Sequence, residues 1–499
     1  MRAVERLVPH RLADSFADHA ANGLFRQSPE ASARAGLTVS QKKLILLAGF
    51  MLVATGLIWP AIVWASVQIA AALFFTLLIL FRLAAVILPP RLAPSRRLDD
   101  ADLPVITLLA PVFRETAILD QLMRALGAID YPPARLDIKI ILEEGDAGTI
   151  RTARQLAFDS RFELVIVPPG VPQTKPRALN YALRFARGDI ISVYDAEDVP
   201  HPAQLRAAAE ALAAGDERLA CVQAPLNWYN DRKSWLTRQF ALEYAVQFQA
   251  ILPLLTRWGM PLPLGGTSNH FRRSALEAAG GWDAYNVTED ADLGFRLARM
   301  GYRSEVIAPQ TLEEAPETLA PWVKQRSRWL KGFLQTLAVH WRSPARLPVK
   351  AHLSLMLTIG AACLSAMLHL PLLLLAALLP LTGIADFHAP AAGLLLCGYA
   401  ANMLCAGIAI RRAGMRTRLI DILRMPLYWP LQTAAAFKAM AELRTNPYFW
   451  AKTEHGFSRA PETECPSPSP SSCRSSPLPP LPSAHGRPAT SRIRPKVRA

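Results

Sequence analysis

The chain has 499 residues, of which 51% are apolar and 19% are charged, whereas soluble proteins carry about 25% charged residues. The shortage is local, because positions 44–81 hold no charged residue and positions 351–410 hold only Asp386. This composition excludes a fully soluble protein and a fully disordered one. The net charge of +15 does not indicate nucleic-acid binding, because the basic excess lies in both termini and beside the apolar segments, the pattern expected of a membrane protein.

The first segments of the chain predict a polar extension followed by a membrane hairpin. Residues 1–43 are polar and of mixed charge, which predicts a cytoplasmic N-terminal extension. The segment 44–90 exceeds one membrane crossing of about 20 residues, and Trp59-Pro60 near its middle predicts a transmembrane helical hairpin. Basic residues flank both ends of the hairpin, so both ends are expected in the cytoplasm.

Residues 104–345 alternate short apolar strands with amphipathic helices, which predicts an α/β domain with a mostly parallel sheet and helices on both faces. Ligands of such sheets bind at the carboxyl ends of the strands, so the polar residues that follow each strand are the candidate site residues. The predicted strands are 105–110, 138–142, 162–167, 190–194 and 219–223.

A second apolar block, 351–441, predicts C-terminal transmembrane and interfacial helices. Two spanning helices are expected at 353–381 and 391–410. For the piece 419–437 both a span and an interfacial helix stay open; we favour the interface, because a span would place the basic tail outside the cytoplasm. The Pro/Ser-rich tail 460–499 is too poor in apolar residues to form a core and is expected to be disordered.

Acidic residues follow three of the predicted strands, and a lysine lies between them. Glu115 follows the first strand, Asp146 the second, Lys175 the third, and Asp195 and Glu197 the fourth. One such acid is usually a helix N-cap, but several at one edge repel each other. A divalent cation relieves that repulsion, since Mg²⁺ and Mn²⁺ accept a few carboxylates together with substrate phosphates. The pattern predicts metal-assisted departure of a diphosphate, with the lysine helping to neutralise it.

Two further motifs follow. In the run 286–292, the polar groups either cap the following helix or include a general base, Asp290. The run 325–329 lies in a helix rich in basic and aromatic residues, which suits a membrane surface. From spacing alone, both interpretations of the run 286–292 stay open, and the run 325–329 indicates no more than a surface helix.

Taken in order, these motifs resemble one family. They are Pro-x-x-x-Glu, a strand-end acid, Lys-Pro-x-Ala-Leu-Asn, Asp-x-Glu-Asp, Thr-Glu-Asp and Gln-x-x-Arg-Trp, between two apolar blocks. The order resembles the membrane-embedded inverting family-2 glycosyltransferases, which include cellulose, hyaluronan, curdlan and poly-N-acetylglucosamine synthases. The resemblance implies a GT-A catalytic domain inserted between transmembrane segments. It also implies processive synthesis of a β-linked polysaccharide from a nucleotide-diphosphate sugar, such as a UDP-sugar, with the catalytic domain on the cytoplasmic side of the inner (plasma) membrane.

The resemblance also assigns roles to residues. It places Asp290 as the base that deprotonates the acceptor hydroxyl, and residues 265–269 at the acceptor site, although an ordinary Gly-rich turn explains that stretch equally well. The metal, Mg²⁺ or Mn²⁺, would be held by Asp195 with Glu197 or Asp198. The donor nucleotide would contact Glu115, Asp146, Lys175 and Asp195, and the acceptor and pyrophosphate would contact Glu289, Gln325, Arg328 and Trp329.

Alternatives to a polysaccharide synthase stay open. Gln-x-x-Arg-Trp is typical of processive enzymes, but ceramide glucosyltransferases carry a similar signature, so single-sugar transfer to a lipid acceptor is the rival. The few membrane segments imply that polymer export would need an accessory subunit or self-association. A transporter without chemistry is disfavoured because ionisable groups are scarce in the apolar segments. A donor-binding sensor is disfavoured because Asp195, Asp290 and Arg328 are intact.

Overall fold

The structure is a computed structural model, and it describes residues 4–6, 8–156, 161–378, 389–452, 456 and 458. The predicted link around Asp386 and the predicted disordered tail 460–499 lie outside the described residues.

The strands of the described chain are short and mostly buried. They are β1 (Val4–Glu5), β2 (Ile106–Val112), β3 (Leu136–Glu143), β4 (Phe162–Val167), β5 (Ile190–Val193), β6 (Val199–Pro200), β7 (Leu219–Gln223), β8 (Leu226–Trp228), β9 (Asn269–Arg272), β10 (Arg303–Val306) and β11 (Thr311–Glu313).

The helices fall into those that pack on the sheets and those in the apolar blocks. They are α1 (His10–Gln27), α2 (Val39–Ile58), α3 (Pro60–Ile87), α4 (Leu119–Gly127), α5 (Ala147–Gln155), α6 (Lys175–Leu183), α7 (Gln204–Ala214), α8 (Trp235–Val246), α9 (Leu252–Trp258), α10 (Arg273–Ala278), α11 (Glu289–Arg299), α12 (Leu319–His340), α13 (Val349–Leu355), α14 (Ala361–Leu378), α15 (Ala389–Arg412), α16 (Leu419–Leu423) and α17 (Met425–Thr445).

The predicted mostly parallel α/β sheet is confirmed. Among the described residues, eight strands form one sheet in the order β1-β4-β3-β2-β5-β9-β7-β10, and only the pairs that β9 makes with β5 and β7 are antiparallel. The five strands predicted from apolar runs all occur, with ends that differ by at most two residues. Strand β9 was not predicted because its sequence, Asn-His-Phe-Arg, has no apolar run, although Asn269 and His270 are buried.

Helices cover both faces of this sheet, as near-continuous apolar strands require. Alternate strand residues point to opposite faces, so Leu108 packs with Leu122 of α4 on one face and Leu109 packs with Leu179 of α6 on the other. A second sheet, in the order β6-β11-β8, ends in Glu313 beside the carboxyl edge of the main sheet. Both sheets therefore deliver polar residues to one region.

The N-terminal segment, predicted as an extension, packs on the domain. Strand β1 pairs with β4 in parallel, and the alanine-lined face of α1 packs against α6. Asn180 of α6 donates a hydrogen bond to the Ala20 carbonyl at 3.0 Å. The domain thus includes residues before 104, a feature that the polar composition of 1–43 does not show.

The chain carries four candidate membrane-spanning helices within the described residues: Val39–Ile58, Pro60–Ile87, Val349–Leu374 and Ala392–Arg412. The first two are separated at the position where the sequence predicts the turn of a hairpin, since α2 ends before Trp59 and α3 begins at Pro60. None of the residues of α2 is buried against the protein, and an apolar helix with that exposure suits lipid. Helix α17, which contains most of the segment left open above, is not among these four and packs against α12 and α14.

Helix α12 touches the turn before α11 at Gly332, where no side chain separates them. A Cβ added at Gly332 would lie 2.3 Å from Thr288 Oγ1 and 2.6 Å from its backbone nitrogen. We expect Gly332→Ala to force the two elements apart and to destabilise the protein by about 1–3 kcal/mol, the usual cost of overpacking. The measurement is the melting temperature of the detergent-solubilised protein. Gly127→Ala, which has no heavy atom within 4 Å, is the control; equal melting temperatures would contradict the contact.

Candidate active site

A cavity of about 1230 Å³ joins the carboxyl edge of the sheet to the apolar helices. Its polar wall contains the residues that follow β2 and β5, together with the starts of α6 and α11. Its apolar wall contains side chains of α3, α14 and α15. The cavity includes the predicted site residues except Asp146, Asp198 and the last two residues of the run 265–269.

Carboxylates crowd the sheet side of this cavity. Asp195 forms an ion pair with Lys175, whose ammonium also donates to the Gly266 carbonyl at 2.6 Å. Burial works against the charged lysine, but the carboxylates of Asp195 and Glu289 outweigh it and raise the pKa of Lys175. Lys175 is therefore a permanent cation in the middle of the acidic side chains.

Glu115 and Glu313 show how strong the crowding is. Burial and the nearby Glu197 raise the pKa of Glu115 to about 8, although Lys452 lies 3.1 Å from its Oε2. Glu313 is buried, and its Oε1 has no hydrogen-bond partner among the described residues. Burial, followed by repulsion from neighbouring carboxylates, raises the pKa of Glu313 well above its ordinary value. The local cations leave these acids only partly compensated.

This acidic edge fits a divalent cation that brings some ligands from a substrate. Asp195 and Glu197 are partly exposed to the cavity and supply carboxylate oxygens, the ligands that Mg²⁺ and Mn²⁺ prefer. Within the described ranges, no three His, Cys, Asp or Glu side chains form a complete metal site. A cation here would therefore take its remaining ligands from phosphate oxygens or water.

Asp146 and Asp198 do not line the cavity, and both accept hydrogen bonds from neighbouring loop residues. The Asp146 carboxylate caps α5 by accepting from Thr149 N at 3.2 Å, and it also accepts from Arg114 N at 2.5 Å. Asp198 is fully buried; it accepts from Asp195 N at 2.7 Å and from the Thr267 hydroxyl. Both acids thus orient the cavity-facing residues next to them.

Glu289 and Asp290 are the first two residues of α11, and both line the same cavity as the acidic edge. A Cβ at Gly266 would lie 3.5 Å from Asp290 Oδ2, 3.9 Å from Lys175 Nζ and 4.0 Å from Asp195 Oδ2, so these three side chains converge on one glycine. Burial raises the pKa of Asp290, against the opposing effect of nearby cations. Burial and the neighbouring Asp290 raise the pKa of Glu289 to about 8. Of the two, Asp290 is the stronger candidate for a base, because its carboxylate is the one that meets Lys175 and Asp195 at Gly266.

The run 325–329 lies in α12, where Gln325, Arg328 and Trp329 share one face of the helix. Gln325 and Arg328 line the cavity, and Gln325 Oε1 and Arg328 Nε have no hydrogen-bond partner in the described part of the chain. Trp329 also lines the cavity and packs on Tyr244, with ring centroids 6.0 Å apart. Arg326 also lines the cavity, but its guanidinium is engaged in a two-pronged ion pair with Glu243 of α8. The buried unpaired groups suit a polar ligand.

The sequence prediction missed a C-terminal strap, residues 446–452 with 456 and 458, that crosses this site. Trp450 lies under the Arg328 guanidinium, 4.4 Å from ring centroid to carbon, and Lys452 pairs with Glu115. Glu314 anchors the strap by accepting from Gly456 N at 2.5 Å and Ser458 N at 2.6 Å. The aromatic and basic run Pro-Tyr-Phe-Trp-Ala-Lys after the last helix was the available signal.

Comparison with known proteins identifies the domain. A family model described as glycosyltransferase-like family 2 matches residues 104–332. These residues are a family-2 glycosyltransferase domain. The match covers the acidic edge, Asp290 and the cavity-facing residues of α12, and it leaves out the N-terminal segment and the strap.

Relatives of this glycosyltransferase domain are named for different products, a glycolipid and a polysaccharide. A beta-monoglucosyldiacylglycerol synthase from Synechocystis is 28% identical, covering 51% of this chain and 53% of the relative. The catalytic subunit of a UDP-forming cellulose synthase from Komagataeibacter sucrofermentans is 27% identical, covering 48% and 32%. A solved mannosyltransferase from Pyrobaculum calidifontis, in complex with GDP-Man and Mn²⁺, has a TM-score of 0.49 and 19% identity, covering 76% and 97%. The chain spans about half the length of the curated relatives it matches.

The anchoring of the strap can be tested by proteolysis. Glu314→Gln replaces a carboxylate that accepts two backbone N–H groups, and hydrogen bonds to charged groups contribute about 1.5–3 kcal/mol. We expect at least fivefold faster protease cleavage within 446–458, measured by mass spectrometry of limited digests. The matched control is Glu277→Gln, which removes only an exposed pair with Arg273. Equal cleavage rates in both variants would show that Glu314 does not hold the strap.

Proposed function

We propose that this protein is a membrane-embedded inverting glycosyltransferase that uses a nucleotide-diphosphate sugar, a UDP-sugar, to build a β-linked polysaccharide by processive transfer. The observation that carries the proposal is the convergence of Asp290, Lys175 and Asp195 on Gly266, inside a cavity that continues between the apolar helices. A base, a cation and a metal-ligating acid within reach of one point are what sugar transfer from a diphosphate requires.

The donor would bind at the acidic edge. Asp195 and Glu197 would hold a divalent cation, Mg²⁺ or Mn²⁺, which when bound would neutralise charge on the leaving diphosphate. Glu197 is the better second ligand, because it lines the cavity, whereas Asp198 is fully buried and is not part of the lining. Lys175 would add a fixed positive charge, and Glu115 would contact the nucleotide. Asp146 does not line the cavity; it would act on the nucleotide site indirectly, by accepting a hydrogen bond from Arg114 N next to Glu115.

The acceptor would bind on the α11 and α12 side. Asp290 would take the proton from the acceptor hydroxyl as its oxygen bonds to the anomeric carbon and the bond from that carbon to the diphosphate breaks. One such displacement inverts an α-linked donor to a β-linked product. Gln325 and Arg328 would use their unpaired polar atoms on the acceptor or the pyrophosphate, next to Glu289, and Trp329 would offer an aromatic face.

The membrane arrangement forms part of the proposal. Arg412 at the end of α15 donates to the carbonyls of Ala85 and Val86 at the end of α3, both at 3.0 Å. The same guanidinium donates to Gln249 O of the catalytic domain at 3.3 Å. We therefore infer a multi-pass protein of the inner membrane, with these helix ends and the domain on the basic, cytoplasmic side. Polymer export would use an accessory subunit or self-association.

A specific observation favours a second candidate, single-sugar transfer to a lipid. The part of the cavity between the helices is lined mainly by aliphatic and aromatic side chains, such as Trp64, Phe75, Leu372 and Leu395. Such a wall suits a hydrocarbon chain, because burial of apolar surface is the favourable term there. A polymer would instead be served by the few polar side chains in the same wall, such as Tyr399.

The role of Asp290 has a direct test. Asp290→Asn keeps the size of the side chain but removes the proton acceptor, so we expect sugar transfer to fall by about 10²–10⁴-fold, the usual contribution of a general base. UDP binding in the presence of Mn²⁺ should be retained. Transfer would be assayed in membranes that contain matched amounts of protein, with Asp102→Asn in an exposed turn as the control. Full activity of Asp290→Asn would rule out this base.

The two acceptors can be separated by the size of the product. Membranes supplied with radiolabelled UDP-sugars, one at a time, should yield label in a long, alkali-stable polymer. Label confined to an organic-soluble lipid carrying one sugar would instead support the second candidate. Membranes that contain Asp290→Asn supply the background for each donor.

A further inference from the structure

The N-terminal segment makes buried contacts that its polar sequence does not predict. It lies outside the stretch that matches the family, yet Ser32 and Ala33 are buried. The partner of these two residues is Asp283, which lies in the turn 279–288 just before α11. That turn leads directly to Asp290.

Asp283 is the attachment point. It is 1% exposed; Oδ1 accepts from Ser32 Oγ at 2.9 Å and Oδ2 accepts from Ala33 N at 2.6 Å. Oδ1 also accepts from Tyr285 N at 3.1 Å within the turn. Burial raises the pKa of Asp283 to about 6, so at neutral pH the carboxylate is ionised and can accept all three bonds. A buried carboxylate depends on such partners, because an unpaired charge there is costly.

Hydrogen bonds within the turn connect Asp283 to the start of α11. Asn286 N donates to Asp283 O at 3.1 Å, and Asn286 Oδ1 accepts from Thr288 N at 3.0 Å. Thr288 O then accepts from Asp292 N at 3.2 Å, in the first turn of the helix that begins with Glu289 and Asp290. A continuous set of hydrogen bonds thus joins Asp283 to the backbone around Asp290.

The same turn also holds the lysine side of the site. Thr174, the residue before Lys175, donates its hydroxyl to Ala284 O at 3.0 Å. Asn180 of α6 donates to Trp282 O at 2.7 Å and accepts from Trp282 N at 2.9 Å. Both the base and the cation that converge on Gly266 are therefore connected to one turn.

A second attachment ties the N-terminal segment to α12. The Arg342 guanidinium, just beyond that helix, donates to four carbonyls of the segment: Pro29 at 3.3 Å, Glu30 at 2.9 Å, Ser32 at 2.7 Å and Gly36 at 2.6 Å. The segment is thus fixed to the helix that carries Gln325 and Arg328 as well as to the turn before Asp290.

We propose that residues 8–38 are a positioning element of the active site, with Asp283 as the positioning residue that sets where Asp290 lies relative to Lys175. The proposal rests on the proposed function, because it gives Asp290 the role of base. Its consequence is a division of effects: loosening the attachment should impair the proton-transfer step, which depends on sub-ångström placement, and should spare nucleotide binding at the acidic edge.

The test is Asp283→Asn in the full-length protein. We expect kcat for the UDP-sugar that labels wild-type membranes to fall at least tenfold, while KM for that donor and the Kd for UDP with Mn²⁺ stay within twofold. Arg154→Gln is the matched control, because it breaks a 2.9 Å pair with Glu5 on β1, which lies before residues 8–38 and far along the chain from the turn. Its kcat should stay within twofold of wild type.

Melting temperatures of the solubilised variants separate positioning from unfolding. A folded Asp283→Asn protein with wild-type kcat, or one in which UDP affinity falls together with kcat, overturns the proposal. If that variant does not fold, Ser32→Ala, which removes one of the two bonds, must show the same division at smaller size, and an unchanged kcat there overturns it. A wild-type rate in Asp290→Asn would instead overturn the proposed base.

Discussion

Repulsion among carboxylates at one edge of the sheet is the constraint around which the site is built. The carboxylates that line one cavity are those of Glu115, Asp195, Glu197 and the buried Glu313, whose Oε1 has no hydrogen-bond partner among the described residues. Burial, and after it the repulsion among these carboxylates, raises the pKa values of Glu115 and Glu313 above the ordinary range for a glutamic acid. Lysines from two different parts of the chain offset part of the repulsion. A divalent cation bound with the donor diphosphate would offset the rest of the repulsion, so we interpret the acidic edge as the donor site.

Segments outside the family-2 domain complete this site. The C-terminal strap carries Lys452 to Glu115 and Trp450 to Arg328, and the N-terminal segment holds the turn that leads to Asp290. Helix α17 joins the same assembly through Tyr428, whose hydroxyl accepts from the Trp322 indole at 3.0 Å. The residues proposed as catalytic lie in the family domain, but segments on both sides of that domain contact them or the turns that hold them. Candidate membrane-spanning helices line the apolar part of the cavity, so in our proposal they also shape the acceptor side.

Much of the fold and part of the site follow from local sequence. The strands that end near Glu115 and Asp195 were predictable because buried parallel strands are continuous apolar runs whose carboxyl ends share an edge. The break between α2 and α3 was predictable because Trp59-Pro60 interrupts an uncharged run. Which acids face the cavity was not predictable, since Asp146 and Asp198 differ from their neighbours only in loop geometry that turns them toward backbone N–H groups. The pairing of Lys452 with Glu115 joins residues more than 300 positions apart, which no local pattern encodes.

The most direct test of the acidic edge as a metal–diphosphate site is calorimetric titration of UDP into the purified full-length protein, with Mn²⁺ and then with excess EDTA, in wild type and Asp195→Asn. The site described here predicts UDP binding that is at least tenfold tighter with Mn²⁺ and a metal dependence that disappears in Asp195→Asn. UDP binding of equal strength in EDTA, or unchanged metal dependence in Asp195→Asn, would contradict it.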